Sequence, residues 1–260
     1  MSDHEPQRHD LDDWQQDAAQ QHLQKRRKGC LRFFALLTAL FFLLLSYGGI
    51  IRLLKLPTLP LVAKSIQLNQ DDTVRAWRTA VVSVTADDRR GTGVVLSPGH
   101  HVLTNAHIIE DASQVTLQFG SGLPSVTTSD FVLDPRLDLC LINLETETAG
   151  LELAQSPELT ESSSLYMIGN PQGYFQITSQ VDYIGMVHDA SWPEPLLAVR
   201  GPIYKGNSGS PLIQANGEIV GILFATTTLQ LADQGETAAG LVIPASILAA
   251  FLASADTETD

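Results

Sequence analysis

Three residue types in this chain sit in contexts that suit nucleophilic chemistry. The run Gly206-Asn207-Ser208-Gly209-Ser210-Pro211 places a serine inside a glycine-rich turn. A serine nucleophile needs that setting. Its hydroxyl must stand clear of the backbone, and neighbouring N–H groups must converge on the oxyanion that develops during attack. Glycine, lacking a Cβ, permits the required backbone. The N–H groups of Gly206 and Ser208 are the candidate oxyanion donors. Taken alone, the same six residues also read as an ordinary polar loop.

A serine hydroxyl is a weak nucleophile until a base takes its proton, and imidazole titrates in the useful range. Thr104-Asn105-Ala106-His107 follows directly on a short apolar run and supplies that base. The six other histidines fit less well. His4, His9 and His22 precede a long apolar segment, His100 and His101 lie in a turn, and His188 has no supporting context. The third member is a carboxylate that fixes the imidazole tautomer. Asp138 opens the apolar run Leu139-Cys140-Leu141-Ile142, so it can be sheltered and still reach a neighbour. Asp134, before Pro135, reads as a turn residue, and Asp130 is more remote; Asp138 is preferred over both.

The elements that must hold these residues are short strands. β-Branched and apolar runs recur at 80–85, 93–96, 102–104, 114–119, 139–142, 165–168 and 219–224, separated by turn residues. That spacing predicts an all-β sandwich or barrel. A helix closes the domain: Pro244 suits its first turn, and Ile247, Leu248 and Phe251 give it an apolar side. The expected organisation is a protease-like domain over 71–252 and a polar tail over 253–260.

Upstream, residues 1–32 are polar and end in Lys25-Arg26-Arg27-Lys28 and Arg32. Residues 33–51 carry no charge. Nineteen apolar residues at about 1.5 Å each match a bilayer core, so the segment reads as a transmembrane helix. It is longer than the apolar region of a cleaved signal peptide. Five Lys/Arg precede it and three follow, which puts the N-terminus in the cytoplasm and the rest outside it, the periplasm if the source is a Gram-negative bacterium. Residues 52–70, with Pro57 and Pro60, read as a linker.

The net charge of −13 is unevenly spread: residues 71–260 hold 7 Lys/Arg against 23 Asp/Glu. An acidic domain without a basic stripe excludes nucleic acid as a partner. The two cysteines, Cys30 and Cys140, cannot form a disulfide framework, and their spacing suits no metal site.

The order His107, Asp138, Ser208 is that of chymotrypsin and differs from those of subtilisin and the α/β-hydrolases. From about Ala80 to Ala253 the chain resembles the trypsin-like domain of HtrA/Deg serine proteases. The residues carrying the likeness are Gly91-Thr92-Gly93-Val94-Val95, Leu103-Thr104-Asn105-Ala106-His107, Asp138-Leu139, Ile168-Gly169-Asn170-Pro171, Gly206-Asn207-Ser208-Gly209, Gly217-Glu218-Ile219-Val220-Gly221-Ile222 and Gly240-Leu241-Val242-Ile243-Pro244. The resemblance implies two six-stranded β-barrels with the site between them. It makes His107 the base, Asp138 its partner and Ser208 the nucleophile of a serine endopeptidase that acts on misfolded or regulatory proteins and needs no cofactor or metal. It also admits a homo-oligomer, a trimer in many relatives.

Two features depart from the family. Ser210 stands where Gly is usual, and no PDZ domain is expected between the protease domain and Asp260. The specificity pocket reads as small and apolar. Six residues before Ser208, where trypsin carries its pocket carboxylate, stands Pro202, followed by Ile203. The far wall would be Ile222-Leu223-Phe224-Ala225, and Leu223 occupies the place of the histidine found in glutamyl-endopeptidase relatives. Cleavage after Val, Ala or Leu is expected. The competing reading is a catalytically silent protease fold that holds peptides at the membrane; a receptor acting through its N-terminal tail is a third.

Overall fold

In this computed structural model, Thr38 and residues 58–258 are described, except positions 121, 146, 162, 190–191, 193–194 and 232–234. The expected tail and transmembrane helix lie outside the described residues, apart from Thr38, and so does the first part of the linker. No described helix is long and apolar enough to cross a membrane. The chain divides into two units, Met1–Leu59 and Pro60–Asp260; the second contains both sheets.

Part of the segment read as a linker is helical. Helix α1 spans Thr58–Leu68. Pro60 lies in its first turn, where the missing N–H breaks no helical bond. Leu61 and Ser65 form its buried side, and the Ser65 hydroxyl accepts from the Thr178 N–H (2.9 Å). Pro60 is thus compatible with a helix start, and the described part of 52–70 differs from the expected linker in being helical. Helix α2, Asp72–Thr79, is capped by the Asp71 carboxylate, which accepts from the Thr73 N–H; these bonds hold the Asp71 carboxyl below its usual range. Its Val74 and Trp77 pack on Val81, Ile168 and Ile213.

Seven strands form the first sheet: β1 (Val81–Ala86), β2 (Arg89–Leu96), β3 (His101–Thr104), β4 (Val115–Phe119), β5 (Val126–Thr128), β6 (Phe131–Asp134) and β7 (Leu139–Asn143), in spatial order β5-β4-β1-β2-β3-β7-β6. Val82, Val84 and Ala86 point into the core with Val95, Val102, Leu117, Cys140 and Ile142, while Ser83 and Thr85 alternate outward. Cys140 is a core residue, and burial pushes its thiol up to about 12.

The expectation of two closed six-stranded barrels is half right. The first sheet has seven strands and stays open, because β5 and β6 do not pair. They are joined by only two residues, and Asp130 turns the chain there: its N–H donates to Thr128 Oγ1 (3.0 Å), and its carboxylate accepts from Asn143 (2.8 Å). The second sheet is a closed barrel of β8 (Ser164–Gly169), β9 (Ile177–Val187), β10 (Leu196–Arg200), β11 (Pro211–Ile213), β12 (Ile219–Leu231) and β13 (Gly235–Pro244). Helix α3, Ala245–Glu258, begins one residue later than expected, because Pro244 still pairs with Gly221 as the last residue of β13. Its Ile247, Leu248, Phe251 and Ala255 seal a seam built from both sheets: Val94, Leu103, Leu139 and Leu141 from the first, Ile219, Ile222, Leu241 and Ile243 from the second.

Candidate active site

His107 sits in a single turn of 3-10 helix, Ala106–Ile108, after β3. Asp138 precedes β7, which pairs with β3 as far as Thr104↔Cys140. That register alone brings the two residues together. Their Nδ1···Oδ2 separation is 2.7 Å, and the other carboxylate oxygen accepts the His107 backbone N–H at 2.9 Å. The Asp138 carbonyl also accepts from the Ala106 N–H (3.1 Å) and from Asn105 Nδ2 (3.0 Å). One residue therefore holds three consecutive residues of the histidine turn. It does so from a left-handed backbone, φ 48°. Such a conformation costs of order 1–3 kcal/mol, least for Asp, Asn and Gly, and persists where surrounding bonds over-determine it.

Ser208 is held between the two sheets. Its carbonyl accepts from the Thr92 N–H of β2 (2.8 Å), while the next N–H, of Gly209, donates to the Leu223 carbonyl of β12 (2.7 Å). Gly209 has φ +82°, and a Cβ there would stand 1.9 Å from the Thr92 carbonyl oxygen. Gly91 lies between the histidine turn and the serine turn: a Cβ on it would meet Ile108 Cδ1 at 2.2 Å and the Ser208 carbonyl oxygen at 3.1 Å. Only glycine lets the two turns approach this closely. No hydrogen bond joins His107 to Ser208 among the described residues; such bonds commonly tighten only when substrate is bound. The backbone N–H groups of Gly206 and Ser208, the expected oxyanion donors, have no hydrogen-bond partner among the described residues.

Sequence reasoning gave no role to the residues that fix this turn. Thr92, fully buried, donates its hydroxyl to the Gly206 carbonyl (2.9 Å) and accepts from the Asn170 backbone N–H (2.9 Å) and from Asn170 Nδ2 (3.2 Å). Asn170 also donates to the Val82 carbonyl and accepts from the Gln176 N–H, both at 2.9 Å. Gln176 bonds the Arg78 and Val81 carbonyls (2.7 and 2.6 Å), and the Gln172 N–H donates to the Lys205 carbonyl (2.8 Å). These bonds tie the turn before Ser208 to the first sheet. Thr92 and Asn170 stand inside Gly91-Thr92-Gly93 and Gly169-Asn170-Pro171, runs in which a polar residue flanked by glycine or proline is the available signal.

The expected pocket residues divide. Ile203 and Leu223 converge over Gly240, where a Cβ would lie 2.4 and 2.7 Å from their Cδ1 atoms. Ile222 alternates to the other side of β12 and is packed in the seam with α3. Phe224 and Ala225 are partly exposed, and Trp192 packs on Phe224 with ring centroids 4.6 Å apart. Pro202 is half-buried beside Ile203. Ser210 is fully buried, with its hydroxyl lodged where Gly169 has no Cβ and with no partner.

The trypsin-like peptidase domain family matches residues 91–222. A "probable periplasmic serine endoprotease DegP-like" of Chlamydia pneumoniae is 31% identical over 163 residues, covering 60% of this chain and 32% of that protein. Periplasmic serine endoprotease DegP of Escherichia coli is 28% identical over 166 residues, 61% of this chain and 34% of DegP. The chain thus spans about a third of the length of these curated relatives. The crystal structure of the Rv3671c protease of M. tuberculosis in its active form is 25% identical, with a TM-score of 0.60 over 72% of this chain and 85% of that one. The HtrA-type protease AlgW shares the fold at 22% identity and a TM-score of 0.57. The family match and these relatives agree with the geometry: this chain belongs to the trypsin-like peptidase domain family and is HtrA/Deg-like.

Proposed function

We propose that this chain is a serine endopeptidase that uses Ser208, His107 and Asp138. The observation that carries the reading is the doubly bonded His107–Asp138 pair, 2.7 Å at the ring nitrogen. With Nδ1–H held by the carboxylate, Nε2 is left as the basic atom. The Ser208 hydroxyl proton passes to Nε2 as its oxygen bonds the peptide carbonyl carbon. The oxyanion that forms is bound by the N–H groups of Gly206 and Ser208, each such donor being worth about 10²–10³ in rate. His107 then protonates the leaving amine, the C–N bond breaks, and water releases the acyl group by the same steps in reverse order.

Substrate would lie along β12. Beyond Ile222 that strand has lost its β11 neighbour, so Phe224–Thr226 offer a free edge for an extended peptide. The convergence of Ile203 and Leu223 supports a small apolar pocket and cleavage after Val, Ala or Leu. The uncharged run 33–51 and its flanking charges support a single membrane span with the protease domain outside the cytoplasm. The periplasmic relatives support the same side. Misfolded or regulatory polypeptides are then the substrates, and trimer assembly is the oligomer the resemblance suggests.

The test is labelling of the full chain with a fluorophosphonate, together with digestion of an unfolded protein and sequencing of the product ends. Labelling that depends on Ser208, and cuts mainly after small apolar residues, are expected. Absence of labelling would leave the silent peptide-binding fold as the better reading; a majority of cuts after Arg/Lys or Glu/Asp would overturn the pocket. A cytoplasm-dependent reporter fused after Asp260 should be inactive, and activity would reverse the orientation.

A further inference from the structure

The serine turn has β12 on one side and β2 on the other, through Leu223 and Thr92 respectively. A peptide that enters along the free edge of β12 and presents its scissile carbonyl at Ser208 must leave on the β2 side. A polar cleft with about 690 Å³ not filled by protein opens there, lined by Ser83, Thr85, Arg90, Gln118, Asn170 and Tyr174, with Gly91, Gly173 and Phe175. Two of its walls are the site's own scaffold. Gly91 lies against the Ser208 carbonyl oxygen, and the Asn170 carbonyl oxygen would stand 2.4 Å from a Cβ on Gly206.

The chemistry of the cleft follows from strand alternation. Ser83 and Thr85 are the outward residues of β1, and Arg90 and Gln118 are their cross-strand neighbours through the pairs Thr85↔Arg90 and Ser83↔Gln118. A polar sheet face ordinarily meets open water; here the turn through Tyr174 and Phe175 stands over it. Arg90 is the one permanently charged group among the lining residues, and it has no carboxylate partner among the described residues. Its neighbour Arg89 points to the opposite face, where it bonds Asp111 and the His107 carbonyl. Arg90 is therefore a free guanidinium beside the leaving-group path, in a domain otherwise rich in carboxylates. Guanidinium matches carboxylate geometry with paired donors.

We propose that this cleft selects substrates with an acidic side chain at one of the first two positions on the leaving-group side of the cleaved bond, with Arg90 as the selecting residue. The inference rests on the endopeptidase reading and adds the substrate chemistry of its leaving side. It is tested on the full chain with peptides identical on the acyl side and carrying Glu, Gln or Lys at those two positions. An exposed or half-exposed charge pair supports about a two- to five-fold preference, so kcat/KM should run Glu above Gln above Lys and the spread should shrink in added salt. Arg90→Gln should bring Glu and Gln level, and Arg90→Glu should put Lys first. A peptidyl p-nitroanilide, which has no leaving-side residue, should be hydrolysed equally by the parent chain and Arg90→Gln. The same peptides bound to Ser208→Ala, with and without Arg90→Gln, should rank alike by fluorescence anisotropy. That arm separates the two readings: a chain that binds with this ranking but neither cleaves nor labels fails as a peptidase and keeps the cleft. Equal Glu/Lys ratios in parent and Arg90→Gln, or an equal fall in p-nitroanilide hydrolysis, would overturn the proposal.

Discussion

The two halves of the site are built differently. On the first sheet, Asp138 uses its carboxylate and its carbonyl together, in four hydrogen bonds to residues 105–107. The imidazole is fixed before any substrate arrives. On the barrel side, the Gly206 and Ser208 N–H groups have no partner among the described residues, and Asn207 Oδ1 and Ser210 Oγ are buried without one. The serine turn is also not self-supporting: its Gly206 carbonyl is held from the other sheet by Thr92. Unmade bonds in a low-dielectric setting are costly in the free protein and valuable when a charge appears among them. The histidine half leaves one buried atom without a partner among the described residues, Asn105 Oδ1, beside its four bonds; the contrast is one of degree, with orientation dominant in the histidine half and reserved bonding capacity in the serine half.

The largest expected effect comes from removing the proposed nucleophile. Ser208→Ala should abolish both cleavage and fluorophosphonate labelling, while the melting curve stays within about 0.5 kcal/mol of the parent, since a half-buried hydroxyl is the only group lost. Asp138→Asn attacks the other half. The amide can no longer hold the Nδ1–H tautomer, and turnover should fall on the order of 10⁴-fold, the magnitude known for the equivalent change in a serine protease. Single-turnover rates check both; near-parental rates in either variant would break the assignment.

The connection between the halves is tested by Thr92→Val, which keeps the shape and removes the hydroxyl. The Gly206 carbonyl and the Asn170 backbone N–H would each lose a buried partner. A stability loss of about 1–3 kcal/mol follows. Because the turn carrying both proposed oxyanion donors is then released, kcat should fall about 10- to 100-fold, with KM little changed. Thr92→Ser keeps the oxygen and should restore most of the rate. A Val variant that is less stable but equally fast would show that Thr92 serves the fold and not the turn.

The difference between the halves also accounts for what could be read from the chain. The proposed His107, Asp138 and Ser208 stand out in the sequence because each is a reactive residue beside an apolar run or in a glycine turn, and the strand-end placement of His107 and Asp138, which the structure pairs, follows from a simple alternation of residue types. The central strands β1 to β4 and β7 were legible for the same reason. Strand β9 was not: its Thr, Ser, Gln and Asp residues obscure the apolar alternation, although Thr178 and Ser179 are buried and Thr178 is bonded from the N-terminal helix segment, its N–H donating to Ser65 Oγ (2.9 Å) and its hydroxyl to Asn69 Oδ1 (2.6 Å). The β5–β6 corner depends on a side-chain clamp between Asp130 and Asn143, thirteen residues apart, which no local pattern records. Thr92 and Asn170 each stand in a run that carries the resemblance, but nothing local marks them as a pair, because their contact spans seventy-eight positions. The run Ile222-Leu223 reads in sequence as one wall of a pocket, whereas adjacent strand residues face opposite ways.

Ser210 offers the finest test. It stands where relatives of this kind usually have glycine, and in the folded chain it is wholly buried with a hydroxyl that finds no partner. The space it occupies exists because Gly169 has no side chain; a Cβ there would lie 2.0 Å from Ser210 Oγ. Desolvating an unbonded hydroxyl costs about 1–3 kcal/mol, and alanine removes that cost while leaving the backbone unchanged. The loss of a few dispersion contacts offsets part of the gain. Ser210→Ala should therefore be more stable by about 1 kcal/mol, raising the melting temperature by about 2–4 °C for a domain of this size. Its carbonyl still accepts from Leu223 and its N–H still donates to the Asn207 carbonyl (both 2.9 Å), so the serine turn should keep its place and kcat should be unchanged. A lower melting temperature would mean that the hydroxyl is bonded in solution. An unchanged melting temperature with altered kcat would place Ser210 among the groups that set the oxyanion donors, and the reserved capacity of the serine half would then extend one residue further than the Gly206 and Ser208 N–H groups.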